Sequence, residues 1–192
     1  MKRLVGIAVL VTLTLAACSS SPEVVTSYAD YPSYTTPQEI VDAADVVVRG
    51  EVTGSRVKED QPVVSTEGDP TLNPQAGLDE APEVPGVVVT ISTVRVEEVI
   101  KGDVAVGDLI EVAQLGGLYE GVRYVEAQTT ELEEGSEDYV LLLAAHGPGV
   151  PYDLLHPVQA MYTVDAGELE PVPGENAVAV ETVDELEVLA TE

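Results

Sequence analysis

The sequence predicts a mainly β fold: a single small antiparallel β-barrel of five or six strands, with a short helix before the first strand and a short C-terminal helix. The chain is rich in valine, whose branched side chain packs well on a pleated sheet. It contains no Phe and no Trp, so Val, Leu, Ile and Ala must fill the core. The apolar segments predict several short strands and one long, bent strand, a combination that favours a closed or partly open barrel.

Residues 1–17 have the features of a signal peptide. Lys2 and Arg3 place two cations beside the initiator methionine, and residues 4–17 carry no charge. A transmembrane helix needs about 20 apolar residues. This apolar segment is shorter and ends at Ser19, so we expect it to direct export and to be removed.

The segment Leu15-Ala16-Ala17-Cys18 resembles the lipobox of bacterial lipoproteins. The resemblance covers residues 1–21 and implies a diacylglyceryl group on the Cys18 thiol and cleavage just before that residue. Cys18 is the single cysteine of the chain, at the position the lipobox requires. The alternative is an ordinary secretory signal with a chance cysteine. Lipidation predicts a cell-membrane protein, anchored on the extracytoplasmic face and free of disulfides.

The charge excludes several classes of partner. Without Lys2 and Arg3, the chain from Cys18 has six Lys and Arg against 35 Asp and Glu, a balance of −29. Nucleic-acid binding requires cations that meet phosphates, so we expect none. Anionic lipid head groups would repel the domain. The membrane contact must then come from lipid on Cys18.

The elements before the first long loop follow from local signals. Residues 18–35 are Ser-, Thr- and Pro-containing and predict a flexible tether. Tyr28, Tyr31 and Tyr34 could lie on the membrane interface or on the domain, but a plain spacer with incidental tyrosines is the favoured interpretation. Thr36, Pro37 and Glu39 form a helix start, so residues 36–44 predict a short helix that opens the 36–174 barrel domain. Residues 45–57 alternate between apolar and polar, as in a half-buried strand. Gly50 and Gly54 on its apolar face indicate bending or close approach of another strand.

Later elements are separated by turn residues. Residues 58–86 are acidic and Pro-rich and predict a disordered loop. Strands are predicted at 87–100, with a bulge near Ser92-Thr93, and at 109–115, 122–128 and 139–145, the last one central because it is almost wholly apolar. Residues 160–164 and 169–172 predict a hairpin, and the acidic segment 175–192 a short helix from Thr182, capped with Glu185.

Three segments together are similar to the OB-like barrels of uncharacterised secreted bacterial proteins and to the netrin-like domains of protease inhibitors. They are residues 44–52, 94–103 and 139–143. The resemblance spans residues 37–172 and implies the fold alone. The disulfide cysteines of the inhibitors are missing, and Cys18, at the place of their inhibitory N-terminal cysteine, is expected to be lipidated instead.

Two groups of residues are candidates for chemistry. His146, Asp153 and His156 share one Pro/Gly-rich loop and could hold a metal or serve a hydrolase. Zinc sites need three or four ligands with a supporting second shell, and nothing in this spacing fixes such a set, so a loop that merely contains two histidines is the favoured alternative. An acidic turn could bind Ca²⁺ through oxygen ligands, but its order differs from an EF-hand loop, so a solvated acidic turn is the favoured alternative. Its members are Glu131, Glu133, Glu134, Glu137 and Asp138.

No recognisable catalytic motif or cofactor-binding motif occurs in the sequence, so we expect no enzyme activity and no cofactor. The leading prediction is a non-catalytic barrel that binds an envelope protein or another envelope component. A cation-responsive acidic surface module and a hydrolase that uses the 146–156 loop remain alternatives. The sequence leaves the oligomeric state open.

Overall fold

The computed structural model describes residues 22–62, 64–135, 138–172 and 176–191. The predicted signal peptide and Cys18 lie outside these residues. Within the described ranges, no helix is long and apolar enough to cross a bilayer.

The fold is mainly β with two short helices, as predicted. In chain order the elements are β1 (Glu23–Ser27), α1 (Pro37–Ala43), β2 (Val46–Asp60), β3 (Val87–Lys101), β4 (Leu109–Tyr119), β5 (Val122–Glu126), β6 (Asp138–Ala144), β7 (Tyr152–Leu154), β8 (Met161–Asp165), β9 (Glu168–Pro171) and α2 (Val183–Thr191). The predicted count of five or six strands is wrong, since the described chain forms nine. The prediction missed β1 and β7, which are short and are held by pairing with distant strands.

The nine strands form one sheet and not a clear barrel. Its order is β1-β5-β4-β3-β2-β6-β8-β9. β7 lies off this path and pairs in parallel with β4 and antiparallel with β6. β7 therefore joins β4 and β6, which are three places apart in the strand order.

The long strands β2 and β3 are bent where their register shifts. The bulge predicted near Ser92-Thr93 of β3 lies in its partner instead: β2 carries the irregularity between Val52 and Gly54. The close approach predicted at Gly50 is confirmed, because a Cβ there would collide with the Arg95 carbonyl oxygen, whereas a Cβ at Gly54 would meet no described atom within 4 Å. The glycine thus lets β3 pack closely against β2.

The sheet core has two apolar layers. β6 is buried on both faces, which confirms its prediction as a central strand. Val140 and Leu142 face the layer that α1 and α2 cover, whereas Leu141 and Leu143 face the other layer. Residues of neighbouring strands alternate in the same way because successive strand side chains point to opposite faces.

The helix starts agree with the capping predictions. Thr36 caps α1, since its hydroxyl accepts a hydrogen bond from the Glu39 amide at 3.2 Å. The Glu39 carboxylate accepts from the amide and hydroxyl of Thr35 at 2.8 and 2.7 Å, and these bonds lower its pKa. Thr182 and Glu185 form the matching cap at α2, with 3.2 Å between the Glu185 amide and the Thr182 hydroxyl.

Three predicted boundaries need correction. Residues 23–27 of the expected tether form β1, because β5 supplies backbone partners. β2 extends through Asp60, so the strand includes the first residues of the expected 58–86 loop. β4 continues beyond Leu115 through two glycines of positive φ, 105° and 131°, to pair with β5. Disorder in the remainder of the 58–86 loop stays a prediction.

Candidate functional site

The segment that follows the predicted anchor is bound along the sheet. We call residues 23–35 the N-terminal strap. β1 runs parallel to β5, with Glu23 opposite Val122 and Ser27 opposite Glu126. The Ala127 amide donates to the Ser27 carbonyl at 3.0 Å and extends this pairing by one bond.

Glu126 fastens the middle of the strap. Its side chain is almost completely buried. One carboxylate oxygen accepts from the Ala29 amide at 3.3 Å. The other accepts from the Gln128 amide at 2.9 Å and the Thr129 hydroxyl at 3.0 Å. Three donors thus satisfy a buried carboxylate, and one of them belongs to the strap.

Gln159 fastens the end of the strap. Its side-chain oxygen accepts from the Tyr34 amide at 3.1 Å, and its side-chain nitrogen donates to the Tyr34 carbonyl at 3.0 Å. The Tyr31 ring lies 5.7 Å from the His156 ring, centroid to centroid, and burial raises the Tyr31 pKa. Tyr31 and Tyr34 therefore lie on the domain, whereas Tyr28 is 83% exposed.

The strap forms one wall of a cleft of about 390 Å³. Its apolar lining includes Pro32, Val89, Ala113, Leu115, Leu154 and Leu155. Gln114, Thr129, His146 and Asp153 add a few polar groups. Small-molecule sites commonly have a volume of about 300–1,000 Å³ and a mainly apolar wall with few polar groups. The cleft has the size and lining of a site for a small apolar ligand.

His146 and Asp153 meet at this cleft. The His146 Nε2 atom lies 2.8 Å from the Asp153 Oδ2 atom. β7 positions the carboxylate, because Asp153 pairs with Ala113 of β4 on one side and Ala144 of β6 on the other. Both side chains are about half exposed, at 46% and 53%. The pair can offer a hydrogen bond to a ligand through the free side of the imidazole.

His156 does not join this pair. Its Nδ1 atom accepts from the amides of Val158 at 3.0 Å and Gln159 at 3.2 Å. An accepting Nδ1 requires the neutral imidazole, and burial lowers the His156 pKa in agreement. His156 therefore stabilises the turn that carries Gln159.

The predicted acidic turn does not gather its carboxylates in the described chain. Asp138 bonds the Arg49 guanidinium, with 3.2 Å to Nε, and Glu131 pairs with Arg123 at 3.0 Å. Glu137 lies outside the described residues. Among the residues described, no three His, Cys, Asp or Glu side chains are placed to hold a metal ion.

The sequence indicated the His–Asp pair but not the cleft around it. Ala113, Leu155 and Pro32 come from three distant segments that only the sheet pairing brings together. The sequence also does not reveal that the Glu126 carboxylate accepts a hydrogen bond from the strap. The β-branched run Val24-Val25-Thr26 was the one local signal that favoured a strand in the strap.

Comparisons with known proteins give no family. No protein-family model matches the chain, and no curated protein sequence matches it.

Proposed function

We propose that this chain is a lipoprotein anchored through Cys18 on the extracytoplasmic face of the membrane, and that its domain is a non-catalytic binding module. The cleft walled by the strap is the observation that carries the binding role. It offers an apolar volume of about 390 Å³ with one hydrogen-bonding pair, His146–Asp153. The ligand class that fits is a small, mainly apolar envelope molecule, or an apolar side chain of an envelope protein, with one polar group for His146.

An OB-like barrel is the architecture that we propose around this cleft. Support comes from the pairing of β2 with β3, β3 with β4, β4 with β7, β7 with β6 and β6 with β2. β7 completes this circuit through two residue pairs on each side. The cleft lies beside β7. Because β7 forms only two residue pairs with each neighbour, few backbone hydrogen bonds hold β4 and β6 together at the cleft.

The hydrogen bonds of the cleft favour binding over catalysis. A catalytic histidine activates a nucleophile on one ring nitrogen while a carboxylate orients the other. Asp153 occupies the orienting position at 2.8 Å. In the described chain, no hydroxyl side chain is hydrogen-bonded to His146, and the Thr129 hydroxyl donates to Glu126. A pair without an activated nucleophile is suited to holding a ligand's polar group.

A fluorescence titration tests the binding role. The neutral probe N-phenyl-1-naphthylamine brightens in apolar sites, and we expect saturable binding of one probe per domain. Ala113→Phe places a ring in the cleft and should abolish this binding. Ala105→Phe is the matched control, because Ala105 is exposed in the β3–β4 connection and outside the cleft. Equal binding by both variants would contradict the assignment.

A hydrolase is the second candidate, favoured by the His146–Asp153 distance at the edge of a cleft. In that case His146 would take a proton from a water molecule as that water attacks the carbonyl carbon of a bound ester. The C–O bond to the alcohol would then break, and His146 would return the proton to the leaving alcohol oxygen. Turnover of a short-chain nitrophenyl ester by the wild type, lost in both His146→Ala and Asp153→Asn, would support catalysis. Probe binding without turnover would support the binding module alone.

A further inference from the structure

We infer that the β4–β5 turn and the start of β1 rest on the membrane surface that holds the lipid of Cys18. The inference depends on the proposed lipid anchor. The register places these two features together, since Glu23 lies opposite Val122 and Val122 lies opposite Tyr119. The chain therefore enters the domain beside the β4–β5 turn. We call Glu23–Val25 with Leu118–Val122 the entry tip.

The sequence between Cys18 and the entry tip is short. Glu23 follows Cys18 by five residues. Five extended residues span at most about 18 Å, and neighbouring strands lie about 4.8 Å apart. The β4–β5 turn, which lies across β5 from β1, is thus within about 30 Å of Cys18 even when the five connecting residues are fully extended. Leu109, at the other end of β4, is a further nine residues or about 30 Å along the strand from Leu118.

The entry tip exposes apolar side chains. Val24 and Leu118 are 58% and 53% exposed. Both lie opposite Arg123, so they share one face of the sheet. Val25 is exposed on the other face.

Charge limits the depth of this contact. Glu23 and Glu120 are exposed at the entry tip. The Arg123 guanidinium is paired with Glu131 at 3.0 Å, so it supplies little free positive charge. Carboxylates avoid the hydrocarbon and repel anionic head groups. The contact is therefore shallow and suits zwitterionic head groups, with Val24 and Leu118 among the head groups and Glu120 in water.

A tryptophan probe tests the contact, because the chain contains no Trp. Leu118→Trp labels the entry tip, and Leu109→Trp is the matched control on the same strand, 64% exposed against 53% for Leu118. Each lipidated variant, in its mature form from Cys18, is reconstituted in phosphatidylcholine vesicles whose acyl chains are brominated near the head group. Interfacial side chains reach about 5–10 Å into the boundary region, so we expect about twofold stronger quenching at position 118 than at position 109.

The outcomes separate this inference from the anchor itself. Lipid on Cys18 is first verified by intact mass, and folding of both variants by circular dichroism. Lipidated protein with equal quenching at both positions overturns the membrane contact and leaves the anchor intact. Absence of lipid on Cys18 overturns the anchor and the contact together. If Leu118→Trp does not fold, Val24→Trp reports on the same face, and quenching no stronger than at position 109 overturns the inference.

Discussion

Replacement of Glu126 by Gln should weaken the attachment of the strap to the domain. The carboxylate has two oxygens: one accepts from Ala29 at 3.3 Å, and the other accepts from Gln128 at 2.9 Å and Thr129 at 3.0 Å. Glutamine has one accepting oxygen, which can keep the second pair of bonds. Its NH₂ group then faces the Ala29 amide, donor against donor. The Ala29 amide of the strap loses its bond to position 126, while the amide of Gln128 and the hydroxyl of Thr129 keep theirs.

The expected cost is local. A hydrogen bond to a charged group contributes about 1.5–3 kcal/mol, and an unsatisfied buried donor costs about 1–3 kcal/mol. Because β1 is an edge strand of the sheet, we expect the opening free energy of the strap to fall by about 1–3 kcal/mol without global unfolding. Exchange of the strap amides should then accelerate by roughly fivefold to 150-fold.

Native-state hydrogen exchange measures this effect. Peptides that cover residues 23–35 should exchange faster in Glu126→Gln, whereas β6 amides should keep the wild-type rate. The matched variant Gln159→Leu removes both side-chain bonds to Tyr34 and should accelerate the same peptides. Unchanged exchange in the strap, or equal acceleration in β6, would refute the account of the strap as a separately opening segment.

Two further predictions concern buried groups. The Ser92 hydroxyl is buried without a partner among the described residues, so Ser92→Ala should raise the free energy of unfolding by about 1 kcal/mol. Thr90→Val removes a 2.8 Å hydrogen bond to the Gly116 carbonyl and should lower the free energy of unfolding by about 1–2 kcal/mol. Chemical denaturation measures both changes. Burial lowers the His156 pKa in the folded state, so as pH falls below about 6.5 the imidazole is protonated in the unfolded chain before it is protonated in the folded one. The free energy of unfolding should therefore decline as pH falls from that value toward the folded-state pKa. In thermal melts, His156→Asn, which keeps a hydrogen-bond acceptor, should show a weaker decline. An equal decline in the wild type and the variant would contradict the assignment.

Elements with strong local signals could be predicted from the sequence. Thr36, Pro37 and Glu39 mark the start of α1 through neighbouring side chains, and the apolar run of β6 identifies a strand buried on both faces. β1 and β7 have no such signal. All five β1 residues are exposed, and β7 has only three residues, so both strands depend on partners about 100 and 40 residues away in β5 and β4.

The candidate site was predictable only in part. His146 and Asp153 are seven residues apart, and a short loop brings them together. Their shared loop also contains His156, but the sequence does not reveal that its Nδ1 atom accepts backbone hydrogen bonds. The cleft depends on the strap, on β4 and on the loop after β7. Its existence is a consequence of long-range pairing that residue periodicity does not specify.

The central claim is that Cys18 is the lipidated first residue of the mature protein, and mass spectrometry of the protein extracted from its own membranes tests it most directly. Two or three acyl chains give stable anchoring, at about 0.8 kcal/mol for each buried CH₂ group. We expect an N-terminal peptide that begins at Cys18 and carries a diacylglyceryl group, and we expect Cys18→Ser to lack it. A mature N terminus at another residue, or an unmodified Cys18 in membrane-bound protein, would contradict the account.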